Sequence, residues 1–331
     1  MQIASGQCSQ GQCSLYRISV RRRGFTLVDF LAVLFICGVL GSLLLPAIQQ
    51  AREAARKMTC SSHLRQLVLA IQVHETTYRM YLTNGGYTVG SVIPDAVSNA
   101  MMPIGTDDFA IDQNFRRGIG EPGFAPESQP GSWAYAILPM VEKATAYNEV
   151  LVGASLPIFR CPSGMRTPTG IPILDLIGNY HAAHRRWSQT DYCARAKLFT
   201  NLPLASVNAT ILDGHSHLIG VGEKAYDRSV QGPTTWYWDE PIFSGGSQGT
   251  ARAGLKIFND NVSIPFRENW GSAHLGGAQF AIMDESVQFM NRSVDYYVLN
   301  ALLTPGGGET VSDDLMCNFD IYFKNESVSS T

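Results

Sequence analysis

The pattern of apolar and polar positions changes sharply near the start of the chain. Residues 30–48 are overwhelmingly apolar, and no charged residue occurs between Asp29 and Arg52. A helix of this length is long enough to cross a hydrocarbon core about 30 Å thick. Since no second run of this kind occurs, the sequence predicts one crossing at most, with the transmembrane helix at residues 25–48.

An amphipathic pattern follows, and it predicts that the helix continues over residues 49–82. Its first part, "AREAARK", consists of strong helix formers. Apolar residues then recur at the i, i+3, i+4 and i+7 spacing of one helix face, which we interpret as core packing. The paired glycines of "TNGGY" at 83–87 predict the end of the helix. The apolar stripe consists of Leu64, Leu67, Val68 and Ile71.

The remainder, residues 83–331, breaks into short apolar runs separated by Gly, Pro, Asn and Asp, a pattern typical of antiparallel strands and loops. Residues 88–131 are rich in turn-forming residues and predict an irregular insertion. We therefore expect an α+β protein. Its long N-terminal helix, with a membrane half and an amphipathic half, would pack on a mostly antiparallel β head with loop-rich insertions.

The net charge and the residues on either side of the apolar run make some functions less probable than others. The formal net charge of −3 gives no basic surface, so nucleic acid is not an expected partner. Arginines stand on both sides of the run, so the positive-inside rule favours a cytoplasmic N-terminus only weakly. An ordinary signal peptide has a shorter apolar core and a small-residue exit, whereas this run continues straight into a helix. These features disfavour a discarded export signal.

A carboxylate inside an apolar segment needs an explanation, because it costs a few kcal/mol unless a partner pairs with it. Cleavage between Gly24 and Phe25 would create an α-amino group one helical turn from Asp29. The junction "RRRG|FTLVD" resembles the type IV prepilin and pseudopilin signature, in which Glu usually stands where this chain has Asp29. Pro46 matches a proline typical of pilin helices. The alternative is an ordinary signal-anchor whose Asp lies near the membrane interface.

Five further segments extend the resemblance over nearly the whole mature chain. They resemble a bacterial domain-of-unknown-function family of prepilin-like proteins with a C-terminal, processing-associated H-X9-DG motif. This motif falls on His274 and Asp284, with Glu285 at the Gly position. Since Glu is poorly suited to the positive φ of a tight Asp-Gly turn, we expect a different turn or a longer loop there. The segments are "CSSHLRQLVLAIQ" (60–72), "SWAYAILPMVEKATAYN" (132–148), "PIFRCPS" (157–163), "ILDGHSHLIGVGE" (211–223) and "WGSAHLGGAQFAIMDESVQFM" (270–290).

The seven cysteines divide between compartments. Two lie in the leader and Cys37 in the membrane, and four would face the oxidising side. Four cysteines allow three pairings. Since Cys60 and Cys161 both lie in family-like segments, we expect a Cys60–Cys161 disulfide, with Cys193–Cys317 as the second. Buried free thiols are the alternative.

Histidine clusters are the remaining candidates for chemistry. A catalytic zinc ion needs three protein ligands around an open position. The chain has H-x-x-H at residues 181–184 and D-x-H-x-H at 213–217, but no H-E-x-x-H, and no G-x-S-x-G elbow. We expect no catalytic residues, no metal and no cofactor.

The resemblance implies a non-enzymatic pseudopilin-like envelope protein. A prepilin peptidase would remove the leader, residues 1–24, and Phe25 would be N-methylated. The mature chain would be a single-pass inner-membrane protein with its head in the periplasm, or outside the cell after assembly. Its partners would be the peptidase, the bilayer and like or related subunits of a type IV pilus or type II secretion pseudopilus. Two alternatives are a membrane-anchored ligand-binding module that does not polymerise and an envelope metal-dependent hydrolase.

Overall fold

The structure is a computed structural model, and it describes a defined part of the chain. Cleavage-site residues Gly24 and Phe25 lie outside the described residues, as does Cys317. The chain divides into two compact units, Met1–Arg52 and Glu53–Thr331. The described residues are 8–9, 12–13, 27–85, 92–94, 101–103, 120–164, 167, 169–170, 186–195, 198–199, 214–226, 242–243, 245, 250–252, 254–260 and 269–303.

The first helix, α1, spans Leu27–Tyr78 and contains Pro46. It ends four residues before the predicted end. Arg79, with φ of 60°, leaves the helical conformation there, while its N–H still donates to the carbonyl of Glu75 at 2.7 Å. The predicted apolar stripe is confirmed, since all four of its side chains are fully buried.

Short helices follow over residues 133–148, where a 3₁₀ turn that contains Pro139 separates two α-helices. They are α2 (Trp133–Ala136), a 3₁₀ turn (Leu138–Val141) and α3 (Ala144–Asn148). The Oγ of Ser132 caps α2 by accepting from the N–H of Tyr135. A last helix, α4, spans Tyr296–Leu303. Other 3₁₀ turns lie at Pro126–Ser128, Pro157–Phe159 and His215–His217.

Thirteen strands are found among the described residues, and most pairings between them are antiparallel. The central sheet has the order β13-β12-β8-β7-β9, in which only β7 and β9 are parallel. Strands β10 and β11 form a separate parallel pair. The strands are β1 (Cys8–Ser9), β2 (Gln12–Cys13), β3 (Val92–Pro94), β4 (Met101–Pro103), β5 (Thr169–Gly170), β6 (Trp187–Ser188), β7 (Tyr192–Arg195), β8 (Ile219–Glu223), β9 (Ala251–Arg252), β10 (Lys256–Asn259), β11 (Asn269–Ser272), β12 (Gly277–Ile282) and β13 (Val287–Asn291).

Two apolar clusters form the core of the second unit. The larger joins the α1 stripe to α2 and to sheet residues such as Val221 and Ala281, and the smaller joins Phe280 and Trp270 to α4. At Gly220 of β8 a Cβ would lie 2.5 Å from the sulfur of Met283 and 3.6 Å from Val68, so a larger residue would displace the Met283 side chain. A long N-terminal helix with a mostly antiparallel β head confirms the predicted α+β class.

The hairpin between β12 and β13 corrects the expectation made for Glu285. The turn is tight, because the N–H of Glu285 donates to the carbonyl of Ile282 at 3.0 Å and the N–H of Ile282 to that of Ser286 at 2.8 Å. Glu285 adopts a φ of 70°, in the left-handed region that glycine favours. Asp284 Oδ1 also accepts from the N–H of Ser286 at 2.9 Å. The prediction of a different turn or a longer loop was therefore wrong. The hydrogen bonds of this turn outweigh the cost of about 1–2 kcal/mol that a Cβ carries in the left-handed region.

Candidate functional site

The first candidate site is the apolar half of α1. Every side chain from Leu27 to Ile48 is exposed, and the most apolar 18-residue window of the helix has a mean hydropathy of 2.5 with no buried share. By length and composition this segment can span a membrane. Asp29 lies in the first turn of the helix.

The second candidate site is a buried polar cluster in the unit Glu53–Thr331. Its four members are Cys60, Cys161, Glu223 and His274, and one potential ligand atom from each lies within 4.8 Å of the others. We call it the Cys–His–Glu cluster. All four residues are buried, although they come from widely separated parts of the sequence. The fold therefore brings together four side chains that can hold a metal ion.

The two cysteines are held by different kinds of structure. Cys60 lies on the buried face of α1, one turn before Leu64. Cys161 follows the 3₁₀ turn Pro157–Phe159, and its N–H donates to Asp191 Oδ2 at 2.8 Å. The two sulfur atoms lie 2.8 Å apart. This distance exceeds a covalent S–S bond of about 2.05 Å, so the side chains are adjacent thiols.

His274 lies in the turn between β11 and β12. Its N–H donates to the Oγ of Ser272 at 3.0 Å, and that hydroxyl donates to the carbonyl of Gly277 at 2.7 Å. The ring is fully buried. Its Nε2 lies 3.4 Å from Cys60 Sγ and 3.5 Å from Cys161 Sγ, so the backbone of this turn aims the imidazole at both thiols.

Glu53 fixes the other side of the imidazole ring. Its Oε1 lies 2.6 Å from His274 Nδ1. Arg56 donates to Glu53 Oε2 from Nε at 2.9 Å, and the Oγ of Ser163 donates to the same oxygen at 3.0 Å. A carboxylate held in this way accepts the Nδ1 proton and leaves Nε2 facing the two thiols.

Glu223 completes the cluster from the end of β8. It is 1% exposed, and its Oε2 accepts from the N–H of Gln279 at 2.8 Å. Its Oε1 lies 3.3 Å from His274 Nε2, an ion-pair distance, but makes no hydrogen bond with the described residues. A buried carboxylate oxygen of this kind calls for a compensating positive charge.

The neighbours of these groups shift their protonation. Burial alone would lower the pKa of His274, but its contacts with Cys161, Glu223 and Glu53 raise it to about 10. Burial alone would raise the pKa of Glu53, but bonds to His274, Arg56 and Ser163 lower it. The hydrogen bond with Cys60, together with burial, raises the pKa of the Cys161 thiol. At neutral pH the side chain of His274 is thus an imidazolium that contacts the Glu53 carboxylate and the protonated thiol of Cys161.

A cleft reaches the cluster from one side. The cleft is small, and Cys161 and Glu223 of the cluster contribute to its wall. Asp191, Lys224 and Asp260 also line it, so side chains of both charge signs lie beside the cluster.

Comparison with known proteins places the chain in a family. The family model described as "Protein of unknown function (DUF1559)" matches residues 49–296. The chain belongs to this family. No curated protein and no solved structure matches it.

The DUF1559 match includes the whole Cys–His–Glu cluster together with Glu53, whereas the apolar run up to Ile48 precedes it. The residues of the predicted motif separate in space. His274 belongs to the cluster, but Asp284 and Glu285 form the β12–β13 turn, where Asp284 is exposed. The H-X9-DG spacing therefore joins a buried polar residue to a hairpin turn.

The other predicted residues have varied positions. Cys193 lies in the core cluster of β12 and α4, away from Cys60. With Cys317 outside the described residues, the second disulfide stays a prediction, as does the Cys60–Cys161 bridge. His215 and His217 are exposed or half-buried in their 3₁₀ turn. The H-x-x-H histidines and Asp213 lie outside the described residues.

Sequence reasoning missed Glu53 and Glu223. Glu53 stands in "AREAARK", where a charged residue is expected on a solvent-facing helix, and Glu223 ends an apolar strand as a surface residue would. Cys60, Cys161 and His274 were each singled out, but as disulfide or motif residues. Only their presence in separate family-like segments connects them in the sequence.

Proposed function

We propose that this chain is a non-enzymatic, pseudopilin-like envelope protein that is anchored in the inner membrane and assembles with like or related subunits. The observation that carries the proposal is the complete exposure of the apolar side chains from Leu27 to Ile48. Exposing so large an apolar surface to water is unfavourable, so lipid or neighbouring helices must cover it.

Asp29 connects anchoring with assembly. Removal of the leader after Gly24 would leave the amine of Phe25 one turn from this carboxylate. In a bundle of such helices, the carboxylate of one subunit would pair with the amine of the next, which offsets the cost of placing each charge in lipid. This would require the basic leader to be removed and the apolar run to be kept.

The geometry of the head supports a structural role. The Cys–His–Glu cluster is buried, with the most exposed member, Cys161, at 7%. Its side chains pack between α1 and the sheet, so they tie the helix to the head. We therefore propose that the head is a scaffold for assembly and performs no reaction.

The assembly proposal is tested by crosslinking in the membrane. Pairs of cysteines are placed on exposed positions of α1 in a Cys37→Ser background, and crosslinked dimers are quantified with Asp29, Asp29→Ala and Asp29→Glu. We expect Asp29→Ala to be cleaved normally but to crosslink poorly, because the neighbour's amine loses its partner. Asp29→Glu, which restores the usual family residue, should crosslink at least as well as the wild type. Equal crosslinking by Asp29→Ala would refute an assembly role for the carboxylate.

A second candidate function is a membrane-anchored binding module that does not polymerise. The small cleft beside Cys161 and Glu223 favours it, because charged side chains of both signs line this cleft. Under this alternative, Asp29→Ala would change nothing in the crosslinking experiment, whereas changes in the cleft wall such as Lys224→Ala would weaken ligand binding. The hydrolase alternative depends on the histidine loops, and we do not propose it.

A further inference from the structure

The centre of the Cys–His–Glu cluster is crowded with electron-rich atoms. Cys60 Sγ, Cys161 Sγ and Glu223 Oε1 lie 3.4, 3.5 and 3.3 Å from the single Nε2 of His274. One N–H can point well at only one of three neighbours. Glu223 Oε1 is left without a hydrogen bond from the described residues, although the side chain is 1% exposed. The same four atoms would all be satisfied by one cation between them.

We propose that, when Cys60 and Cys161 are reduced, the cluster binds one Zn²⁺ ion through the two sulfurs, His274 Nε2 and a carboxylate oxygen of Glu223. Thiolate, imidazole and carboxylate are the donors that zinc binds in proteins, and four protein ligands make a closed, structural site. This proposal departs from the expectation of no metal, and it does not depend on assembly into a filament.

Of the four measured distances between these ligand atoms, three agree with tetrahedral coordination. With Zn–S of about 2.3 Å and Zn–N and Zn–O of about 2.0 Å, tetrahedral ligands lie about 3.5 Å apart for S and N and about 3.3 Å apart for N and O. The observed S–N distances are 3.4 and 3.5 Å, and the N–O distance is 3.3 Å. Two coordinated sulfurs would lie about 3.8 Å apart. The sulfurs, now 2.8 Å apart, must therefore separate by a small side-chain rotation.

Besides the four ligands, a zinc site usually has a carboxylate that orients the ligating histidine, and Glu53 has this position. Ligating histidines usually donate their other ring N–H to a carboxylate, which sets the tautomer and orients the ring. Here Glu53 Oε1 lies 2.6 Å from His274 Nδ1, and Arg56 and Ser163 hold Glu53 in turn. Metal binding would release the proton from Nε2 and make its lone pair the ligand, while Nδ1–H continues to donate to Glu53.

The ion would join four separate segments of the head. Cys60 comes from α1, Cys161 from the turn after Phe159, Glu223 from β8 and His274 from the turn between β11 and β12. Cys161 and Glu223 also line the small cleft beside the cluster. Zinc would therefore fasten α1 to the sheet, and a Cys60–Cys161 disulfide would exclude it, because both sulfurs would be used.

The experiment measures metal binding by the full chain in detergent. The protein is reduced with a phosphine, stripped by a chelator and titrated with Zn²⁺, and with Co²⁺ as a spectroscopic substitute. We expect one equivalent of Zn²⁺ to bind, and Co²⁺ to give the intense thiolate-to-metal absorption of a tetrahedral sulfur site. Cys60→Ser and His274→Ala should weaken binding at least 100-fold, whereas Cys37→Ser and His217→Ala, which change residues outside the cluster, should not.

The variant Glu53→Gln is a control for loss of Zn²⁺ binding through misfolding. It keeps all four ligands, so the cobalt absorption should persist while Zn²⁺ affinity falls about 10- to 100-fold. Far-UV circular dichroism establishes that each variant is folded. The proposal is overturned if the folded, reduced wild type binds well below one equivalent, if cobalt shows no thiolate band, or if Cys60→Ser and His274→Ala bind as tightly as the controls.

Discussion

The two halves of α1 share one continuous helix but differ in what surrounds their apolar side chains. Up to Arg52 all side chains are exposed, and the apolar ones occur all around the helix. From Glu53 onward polar residues occupy about half of the exposed positions, and one stripe, headed by Cys60 and Leu64, is fully buried. A helix that is apolar on every side needs an apolar environment, whereas an amphipathic helix needs only one packing surface.

This difference assigns separate tasks to the two halves. None of the described residues buries the side chains of the first half, so its apolar surface would be stabilised by an apolar environment. In the second half, Cys60 belongs to the Cys–His–Glu cluster and Glu53 contacts this cluster. The fold of the head therefore fixes the position of the second half. Changes in the two halves should therefore have separable effects.

The largest expected difference between the two halves of α1 concerns their cysteines. In protein isolated without reductant, we expect Cys60 and Cys161 in one disulfide-linked peptide, whereas Cys37 on the exposed half should remain open to alkylation. Such a bridge closes a loop of about 100 residues and would stabilise the head by about 4–5 kcal/mol in the chain-entropy model. Non-reducing peptide mapping measures this directly. Alkylation of both Cys60 and Cys161 in the native protein would rule the bridge out.

Core packing gives the next largest contrast. Leu67 is fully buried and Leu43 is 70% exposed on the same helix. Leu67→Ala should lower the free energy of unfolding of the head by about 3 kcal/mol, because it leaves a cavity, and Leu43→Ala by less than about 0.5 kcal/mol. Urea unfolding followed by tryptophan fluorescence reports on the head, where Trp133, Trp187 and Trp270 are buried. Equal effects of the two changes would contradict the division of α1.

A smaller, pH-dependent effect should come from His74 near the end of the packed half. Burial lowers its pKa to about 4, even though a hydrogen bond with the Met80 backbone opposes the shift. Since the unfolded value is about 6.5, the unfolded chain takes up the proton first as the pH falls. The stability that neutral His74 contributes is fully present above pH 6.5 and is lost as the pH falls from 6.5 to 4. At pH 5 the loss is about 2 kcal/mol.

His74→Gln should remove this part of the pH dependence, while His217→Gln, in an exposed turn, should retain it. The measurement is the free energy of unfolding of wild type and both variants at pH 5 and pH 8. If His74→Gln loses as much stability on acidification as the wild type, the histidine is not held neutral by the core.

The smallest expected effect concerns Glu285, whose carbonyl accepts from Arg65 Nε of α1 at 3.2 Å. Glu285→Gly should stabilise the head by about 0.5–1 kcal/mol, because relief of left-handed strain exceeds the entropy that glycine adds to the unfolded chain. Glu285→Ala keeps a Cβ and serves as the control, with no gain expected. Destabilisation by glycine would mean that the Glu285 side chain contributes more than the strain it causes.

The sequence predicted the elements better than the site. Local periodicity was sufficient for the α1 stripe, because Leu64, Leu67 and Val68 are spaced for one helix face. The turn at Glu285 was mispredicted, because a steric preference of 1–2 kcal/mol was weighed without the hydrogen bonds that oppose it. The cluster depends on contacts such as Glu53 with His274, 221 residues apart, and no local pattern encodes such a pairing.

The central claim is that the apolar half of α1 stays in the mature protein as its membrane helix while the basic leader is removed. Intact-mass measurement of the protein extracted from membranes tests it most directly. We predict a mature chain that begins at Phe25, and an uncleaved precursor when Gly24→Leu places a large residue before the cut. A mature chain that begins near residue 42 or 50 would contradict the account, because the apolar run would then be a discarded export signal.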